Sequence, residues 1–418
     1  MKFLGKMAAK NLFRNKLRTI ISITVIAFAV MMVVILRGFV LGMIDSMFKL
    51  HLQYNSGHIK IINQEYEQKQ RLLSLNYPVD GFKQQGIKNM QQQLKQTKGV
   101  KEIIPRIKFG AAVSTKEELI TMMGWGVNPQ QEIKFTEIED FIITGRMVKK
   151  NKQEIIIGTD LLTELNAAVG DKITIVYTTS WGSFKGSTVK IVGELESGFK
   201  LLDEKSFYLP LGQAQKMLAL TDQATELLIE TDNYKQVGKI MPRLQRVLEN
   251  KEAGDKYSLK RWDQGNSIIQ YLQVGRKIYN LVYIFVILLA CLVVINTLLM
   301  IVKERTSEIG MLSALGLKGK EILLLFVLEG FVLGLIGSFL GVIGGGIITK
   351  ILSVVGIDYS AALADVEADL LMRPIIYPHF NWENLIFSFI LGVIITTITA
   401  VIPAKKAADL NPTEALRH

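Results

Sequence analysis

Four long apolar runs constrain this chain more than anything else in it. Residues 19–44 (TIISITVIAFAVMMVVILRGFVLGMI), 278–302 (IYNLVYIFVILLACLVVINTLLMIV), 321–352 and 385–402 (LIFSFILGVIITTITAVI) stay apolar on every side of a helix. About 20 such residues cross the hydrocarbon core of a bilayer, whereas a helix buried in a soluble core keeps a polar face. All four therefore read as membrane spans. A cleaved signal peptide accounts poorly for the first run, because its apolar part far exceeds about 7 to 15 residues and no small-residue cleavage pattern follows. Between the first two runs lies ordinary water-soluble sequence, so the averages of 49% hydrophobic and 21% charged residues mix two kinds of chain.

Lysine and arginine collect beside the spans and set their direction. Lys2, Lys6, Lys10, Arg14, Lys16 and Arg18 precede the first span, Lys303, Arg305, Lys318 and Lys320 lie between the second and third, and Lys405, Lys406 and Arg417 follow the fourth. The 353–384 connection carries Asp358, Asp365, Glu367 and Asp369 against Arg373. Positive-inside counting puts both termini in the cytoplasm. No nucleic-acid-binding module accompanies the net charge of +11, so nucleic acid is not an expected partner. Near the N-terminus Phe3, Leu4, Met7, Leu12 and Phe13 alternate with lysines. That pattern suits a helix lying in the membrane interface, a solvated extension of the first span being the alternative.

The expected fold is a polytopic α-helical membrane protein with four transmembrane helices and a large α+β extracytoplasmic domain between helices 1 and 2. Its segments are a cytoplasmic interfacial helix at 1–18, spans at 19–44, 278–302, 321–352 and 385–402, and the extracytoplasmic domain at 45–277. A cytoplasmic helix at 303–320, an extracytoplasmic loop at 353–384 and a cytoplasmic tail at 403–418 complete it. Within the outer domain, alternation at 58–62, 172–177 and 188–192 predicts strands, and 83–97 and 234–250 read as helices. The two later strands flank TTSWGSFKGS, a hairpin whose tip carries Trp181 and Phe184. Exposed aromatics there would be interface anchors; folded back, they would simply pack on the domain.

Enzymatic chemistry finds no support. There is no GxxxxGK[ST] phosphate loop, since GLKGKE at 316–321 is too short and lacks the hydroxyl residue. One cysteine, Cys291, and four scattered histidines nominate no metal site, and no cofactor is expected in the chain. Glu329 falls about 12 Å into the third span at 1.5 Å per residue. It is either a functional intramembrane acid or an acid near the interface held by Asn296 or a lysine. Gly330, Gly334, Gly337 and Gly341 share that span and allow close helix packing. Depth alone suggests Val33, Leu36 and Val40 as lining for a substrate cleft.

The stretch Glu304–Leu315 carries Ile309, Leu312 and Leu315 at i, i+3 and i+6, an apolar ridge flanked by Glu304, Arg305 and Glu308. Such a helix docks into a partner's groove or lies on lipid. Here a resemblance enters. VKERTSEIGMLSALGLKGKEILLLFVLEGFVLGLIGSFLGVIGGG from Val302, IPAKKAADLNPTEALRH from Ile402 and NLFRNKLRTIISI from Asn11 are similar to the signature regions of FtsX-like ABC permeases. The outer domain is similar in layout, through EIIIGTDLLTELNAAVGDKITI and SFYLPLGQAQKML.

The resemblance implies a non-catalytic, multi-pass subunit in the bacterial inner membrane that dimerises with a second copy or a paralogue. Two ABC ATPase subunits would bind ATP and Mg²⁺, and Glu304, Arg305, Glu308, Ile309, Leu312 and Leu315 would form the element coupled to them. Motion rather than a through-membrane path would carry the work to the outer domain, a mechanotransmission scheme. With SGHIKI from Ser56, the sequence looks most like the lipoprotein-releasing, Lol-type members, which extract lipoproteins and hand them to a periplasmic carrier. Their carrier-gripping hairpin is longer and bears proline, unlike Thr178–Ser187 here. The alternatives are a MacB-like exporter of peptides, toxins or drugs, against which the lack of a fused ATPase counts, and a transmembrane regulator of a cell-wall hydrolase, for which the outer domain is large.

Overall fold

The computed structural model describes residues 16–114, 119–197, 200–264, 267–314, 317–358 and 375–410. Nearly all of the helix expected at 1–18, together with Leu315, half of the 353–384 loop and the end of the tail, lies outside them. The chain packs as two compact units, one holding Ser46–Ile269 and the other the segments before Ser46, Gln270–Asp358 and from Ile375 onward.

The first helix, α1 (Lys16–Leu50), does not stop where its apolar run stops. No glycine or proline intervenes between Gly42 and Gly57, so the helix continues and passes into a π-helical turn, His51–Ser56. Gly57 ends it at φ 59°, its N–H donating to Leu52 O at 2.9 Å. A side chain is disfavoured at that φ, so glycine supplies the stop.

The outer unit follows the last turn of α1. In order come β1 (Ile59–Asn63), α2 (Ile87–Lys95), β2 (Val100–Ser114), β3 (Leu119–Val127), α3 (Pro129–Thr136), β4 (Ile142–Gly145) and β5 (Glu154–Gly158). Then come β6 (Lys172–Thr178), β7 (Phe184–Leu195), β8 (Ser206–Pro210), α4 (Leu211–Leu218), β9 (Glu226–Thr231), α5 (Val237–Asn250) and β10 (Tyr257–Arg261). Among the described residues these strands form one ten-stranded sheet in the order β10-β1-β9-β2-β3-β8-β5-β7-β4, with β6 joining β2 to β7. That junction closes a ring through β2, β3, β8, β5, β7 and β6, which leaves those strands without open edges. The expected strands at 58–62, 172–177 and 188–192 coincide with β1, β6 and the second half of β7.

Helix α5 turns Val237, Ile240, Leu244 and Leu248 inward and α2 turns Ile87, Met90 and Leu94, the helical spacing that buries one face. They join Ile59, Ile61, Ile103, Ile107 and Ile229 in the main core, each such side chain contributing about 1.5 to 3 kcal/mol. A second cluster packs Leu50 and Tyr54 from the end of α1 against Trp125, Val127, Ile156 and Tyr208.

The other unit contains α6 (Ser267–Glu304) from Gln270 onward, α7 (Thr306–Ala314), α8 (Gly319–Val355) and α9 (Trp382–Ala408). With α1, three of these make four helices among the described residues that are long and apolar enough to cross a membrane. Helices α8 and α9 start ahead of their apolar runs from polar caps. The Lys318 N–H donates to the Glu321 carboxylate at 2.9 Å to start α8, and the Asn384 N–H donates to Asn381 Oδ1 at 2.7 Å to start α9. Helix α6 leaves Leu281, Phe285 and Leu292 more than half exposed, a surface suited to lipid rather than water.

Candidate functional site

Consecutive residues at the junction of α6 and α7 reach two different helices. The backbone ladder continues through it, Arg305 N–H to Ile301 O at 3.0 Å and Ile309 N–H to Arg305 O at 2.9 Å. The Thr306 hydroxyl also donates to Val302 O at 3.2 Å and Lys303 O at 2.9 Å, competing at those carbonyls and favouring a bend. Within the helix expected at 303–320, the described part is α7, joined to the end of α6 through an elbow at Arg305. Glu304 pairs with Arg18 of α1. Arg305, 7% exposed, pairs with Glu308 at 3.2 Å and with Glu329 of α8 at 3.7 Å.

Glu329 is only 1% exposed and pairs with Arg305. An acid at that depth needs a cation arriving from the elbow, which sequence distance concealed.

The apolar ridge also differs from its expected orientation. Ile309 stands four residues after Arg305 and shares its inward face, so it is buried with Val294, Leu298, Ile322 and Phe326. Leu312 is half-buried, and the open face of α7 presents Ser307, Met311 and Ala314. Val33, Leu36 and Val40, suggested as cleft lining, are packed within this chain to different degrees. Val33 is buried among Tyr283, Ile287, Cys291 and Ile395 with Leu36 packed alongside, and Val40 is buried as well. Depth chose these positions, but the face of the helix decides what they touch.

Helix α8 approaches its neighbours through its glycines. A Cβ on Gly330 would stand 2.2 Å from Ala400 Cβ, and one on Gly341 2.5 Å from Ala27 O. Gly334 faces Thr396 of α9, and Gly337 faces Ile26 of α1. Only glycine lets these backbones come so close.

At the hairpin tip in the outer unit, Trp181 and Phe184 are each 82% exposed, so neither folds back. The loop itself is held, with Thr179 N–H on Ser183 O at 2.9 Å and Ser180 N–H on Leu218 O at 3.0 Å.

Two features escaped the sequence. Arg37 lies inside the first apolar run with its guanidinium 3.6 Å over the Phe387 ring. Arg106, Lys108, Glu132 and Glu226 are buried in the outer unit. The alternation of Arg106 and Lys108 with Ile107 and Phe109 looks like a solvent-facing strand edge, and only the central position of β2 buries it. Among the described residues no group of three or more His, Cys, Asp or Glu is placed to hold a metal.

Comparison with known proteins gives two family matches, a MacB-like periplasmic core domain over residues 19–247 and an FtsX-like permease C-terminal region over 280–412. The lipoprotein-releasing system transmembrane protein LolE of Haemophilus influenzae is 24% identical over 78% of this chain and 80% of that protein. The macrolide export ATP-binding/permease protein MacB of Psychrobacter arcticus is 22% identical over 56% of this chain and 33% of that protein. The solved extracellular domain of the ABC-type transporter YknZ from Gram-positive bacteria aligns over 49% of this chain and 99% of that one, at 15% identity and a TM-score of 0.34.

Proposed function

Since the chain belongs to the FtsX-like ABC transporter permeases with a MacB-like periplasmic core domain, we propose that it works the lipoprotein-releasing reaction, extracting lipoproteins or a similar amphiphile from the outer leaflet of a bacterial inner membrane. In this reading a separate ATPase dimer binds ATP and Mg²⁺, and the chain, paired with a second copy or a paralogue, is non-catalytic. Both termini face the cytoplasm, with the elbow at Arg305 on the ATPase side. A periplasmic carrier would take the product.

The observation that carries the reading is the elbow. A short helix that simply floated on lipid would not need its base tied to two spans by Glu304–Arg18 and Arg305–Glu329. An ATPase pushing on the open face of α7 would move α1 and α8 through those ties. The likeness to LolE over most of both chains supports the substrate class.

Purification of the chain with its ATPase, followed by mass spectrometry of bound molecules, tests this. Triacylated lipoprotein should co-purify and leave on addition of ATP and Mg²⁺. Repeated recovery of none, with a cell-wall hydrolase attached instead, would sink it. The breadth of the MacB-like match, residues 19–247, favours peptide or drug export as the second reading, and bound peptide or macrolide in the same experiment would select it.

A further inference from the structure

The end of α1 is gripped by buried charge. Arg106, fully buried on β2, donates from Nη2 to Gln53 O at 2.7 Å and makes a two-pronged pair with the buried Glu132 of α3, at 2.6 and 3.1 Å. Two residues along the same strand face, Lys108 donates to Tyr54 O at 3.4 Å and pairs with the buried Glu226 of β9 at 2.9 Å. Its ammonium also lies 4.3 Å over the Trp125 ring. Lys60 of β1 pairs with the same Glu226 at 3.2 Å and donates to Asn55 Oδ1 at 3.5 Å. Three cations from two strands thus converge on the turn Gln53–Asn55.

The chemistry explains why they do so. The last carbonyls of a helix have no partner within it and carry the negative end of its dipole, so cations satisfy them best. Further bonds hold the same turn. Gln53 Nε2 donates to Phe135 O at 3.2 Å, the His51 ring bonds Trp262 O at 3.0 Å, and Phe48 packs edge-on to Trp262 at 4.8 Å. Buried ion pairs are poor devices for stability alone, since their desolvation offsets most of their attraction. What they do well is fix one arrangement and forbid others.

We infer that Arg106 and Lys108 are positioning residues that lock the last turns of α1 to the sheet, so that this helix end and the outer domain move as one body during the ATPase cycle. The inference rests on the proposed transport reading for its purpose, but not for its geometry. Movement of the turn Gln53–Asn55 then reaches β2 directly through these bonds.

The test uses the full chain with its ATPase in lipid nanodiscs. Spin labels replace the exposed Lys49 and Lys190 in a Cys291→Ser background (Lys49→Cys, Lys190→Cys). The native protein should give one narrow distance distribution, unchanged by Mg²⁺ with a non-hydrolysable ATP analogue. The paired variant Arg106→Gln/Glu132→Gln keeps charge balanced, yet loses hydrogen bonds to a charged donor, which moves the joint about tenfold or more toward release. It should broaden the distribution and lower substrate released per ATP hydrolysed, while ATP hydrolysis itself continues. If that variant does not accumulate, Lys108→Met replaces it, and Lys108→Arg should restore the narrow distribution. A native 49–190 distance that shifts between nucleotide states would overturn the inference by showing a hinge, as would variants that keep both the narrow distribution and native coupling. Failure to recover lipoprotein from the native complex, with the spectroscopic result intact, would count against the transport reading alone.

Discussion

Replacing Glu329 by glutamine removes the anion that holds Arg305 in the elbow. At 3.7 Å and an effective dielectric constant of about 20, their attraction is worth about 4 to 5 kcal/mol before desolvation. Breaking a buried pair from one side costs about 3 to 5 kcal/mol, because the other charge stays buried. Arg305 retains Glu308, whose side chain is 42% exposed and therefore a weaker partner, so about 2 to 3 kcal/mol is the expected loss. Removing both charges together, as Arg305→Met/Glu329→Leu, should bring stability back to within about 1 kcal/mol of the native protein. Denaturant unfolding in nanodiscs measures this, and release per ATP hydrolysed is read on the same samples. The single variant should be unstable. The double variant should be stable but uncoupled, because the elbow no longer follows α8. A Glu329→Gln protein within about 0.5 kcal/mol of native, with release unaffected, would refute the reasoning that this pair sets the elbow.

Three further outcomes follow from the same geometry. Gly330→Ala must push α8 from Ala400 and should cost about 1 to 3 kcal/mol, whereas Gly344→Ala, whose added Cβ meets only Met31 Sδ at 3.5 Å, should be near neutral in the same unfolding assay. Burial would raise the Glu226 carboxyl, but Lys108, Lys60 and Arg106 outweigh it and bring it down to about 2, and Arg146 does the same for Glu154. A carboxyl lowered in the folded state stabilises above its ordinary pKa near 4.5, so stability should fall as pH drops from there toward 2, by about 3 kcal/mol for Glu226. Trp125 fluorescence beside Lys108 reports that loss, and Glu226→Gln should flatten it. Trp181→Ala and Phe184→Ala should leave stability within about 0.5 kcal/mol, both being exposed, so any loss of release measured on them would identify the tip as a docking surface.

Much of the fold was legible because spans and half-buried strands advertise themselves by periodicity. The four apolar runs and the strands at 58–62, 172–177 and 188–192 are local signals, and local physics decides them. The positions that periodicity left open depend on which way a helix or strand is turned. Ile309 and Val33 are apolar whether they face a partner, a cleft or the bundle, and only packing against Phe326 or Tyr283 tells these apart. Arg106 and Lys108 alternate with apolar residues as a solvent-facing row would, and pairing with β3, β6 and β9 buries that row. Glu329 and Arg305 are 24 residues apart in sequence, so neither announces the other.

The charged groups among these positions bear on mechanism. Helix α1 has 35 residues, about 52 Å at 1.5 Å per residue, more than the roughly 30 Å of a hydrocarbon core. Near its first turn Arg18 pairs with Glu304 of the elbow, and just past its last turn Gln53 and Tyr54 receive Arg106 and Lys108. In the proposed transport reading the solvent-screened Arg18–Glu304 pair is the one that can be remade in each cycle, whereas the buried Arg106–Glu132 pair cannot be opened without stranding a charge. If that reading holds, the weaker contact lies at the ATPase end and the stronger one at the outer domain. Arg18→Ala should therefore lower coupling slightly, and Arg106→Gln/Glu132→Gln should lower it more while ATP hydrolysis persists. Release measured per ATP on the two variants side by side tests that ranking, and equal loss in both would contradict it.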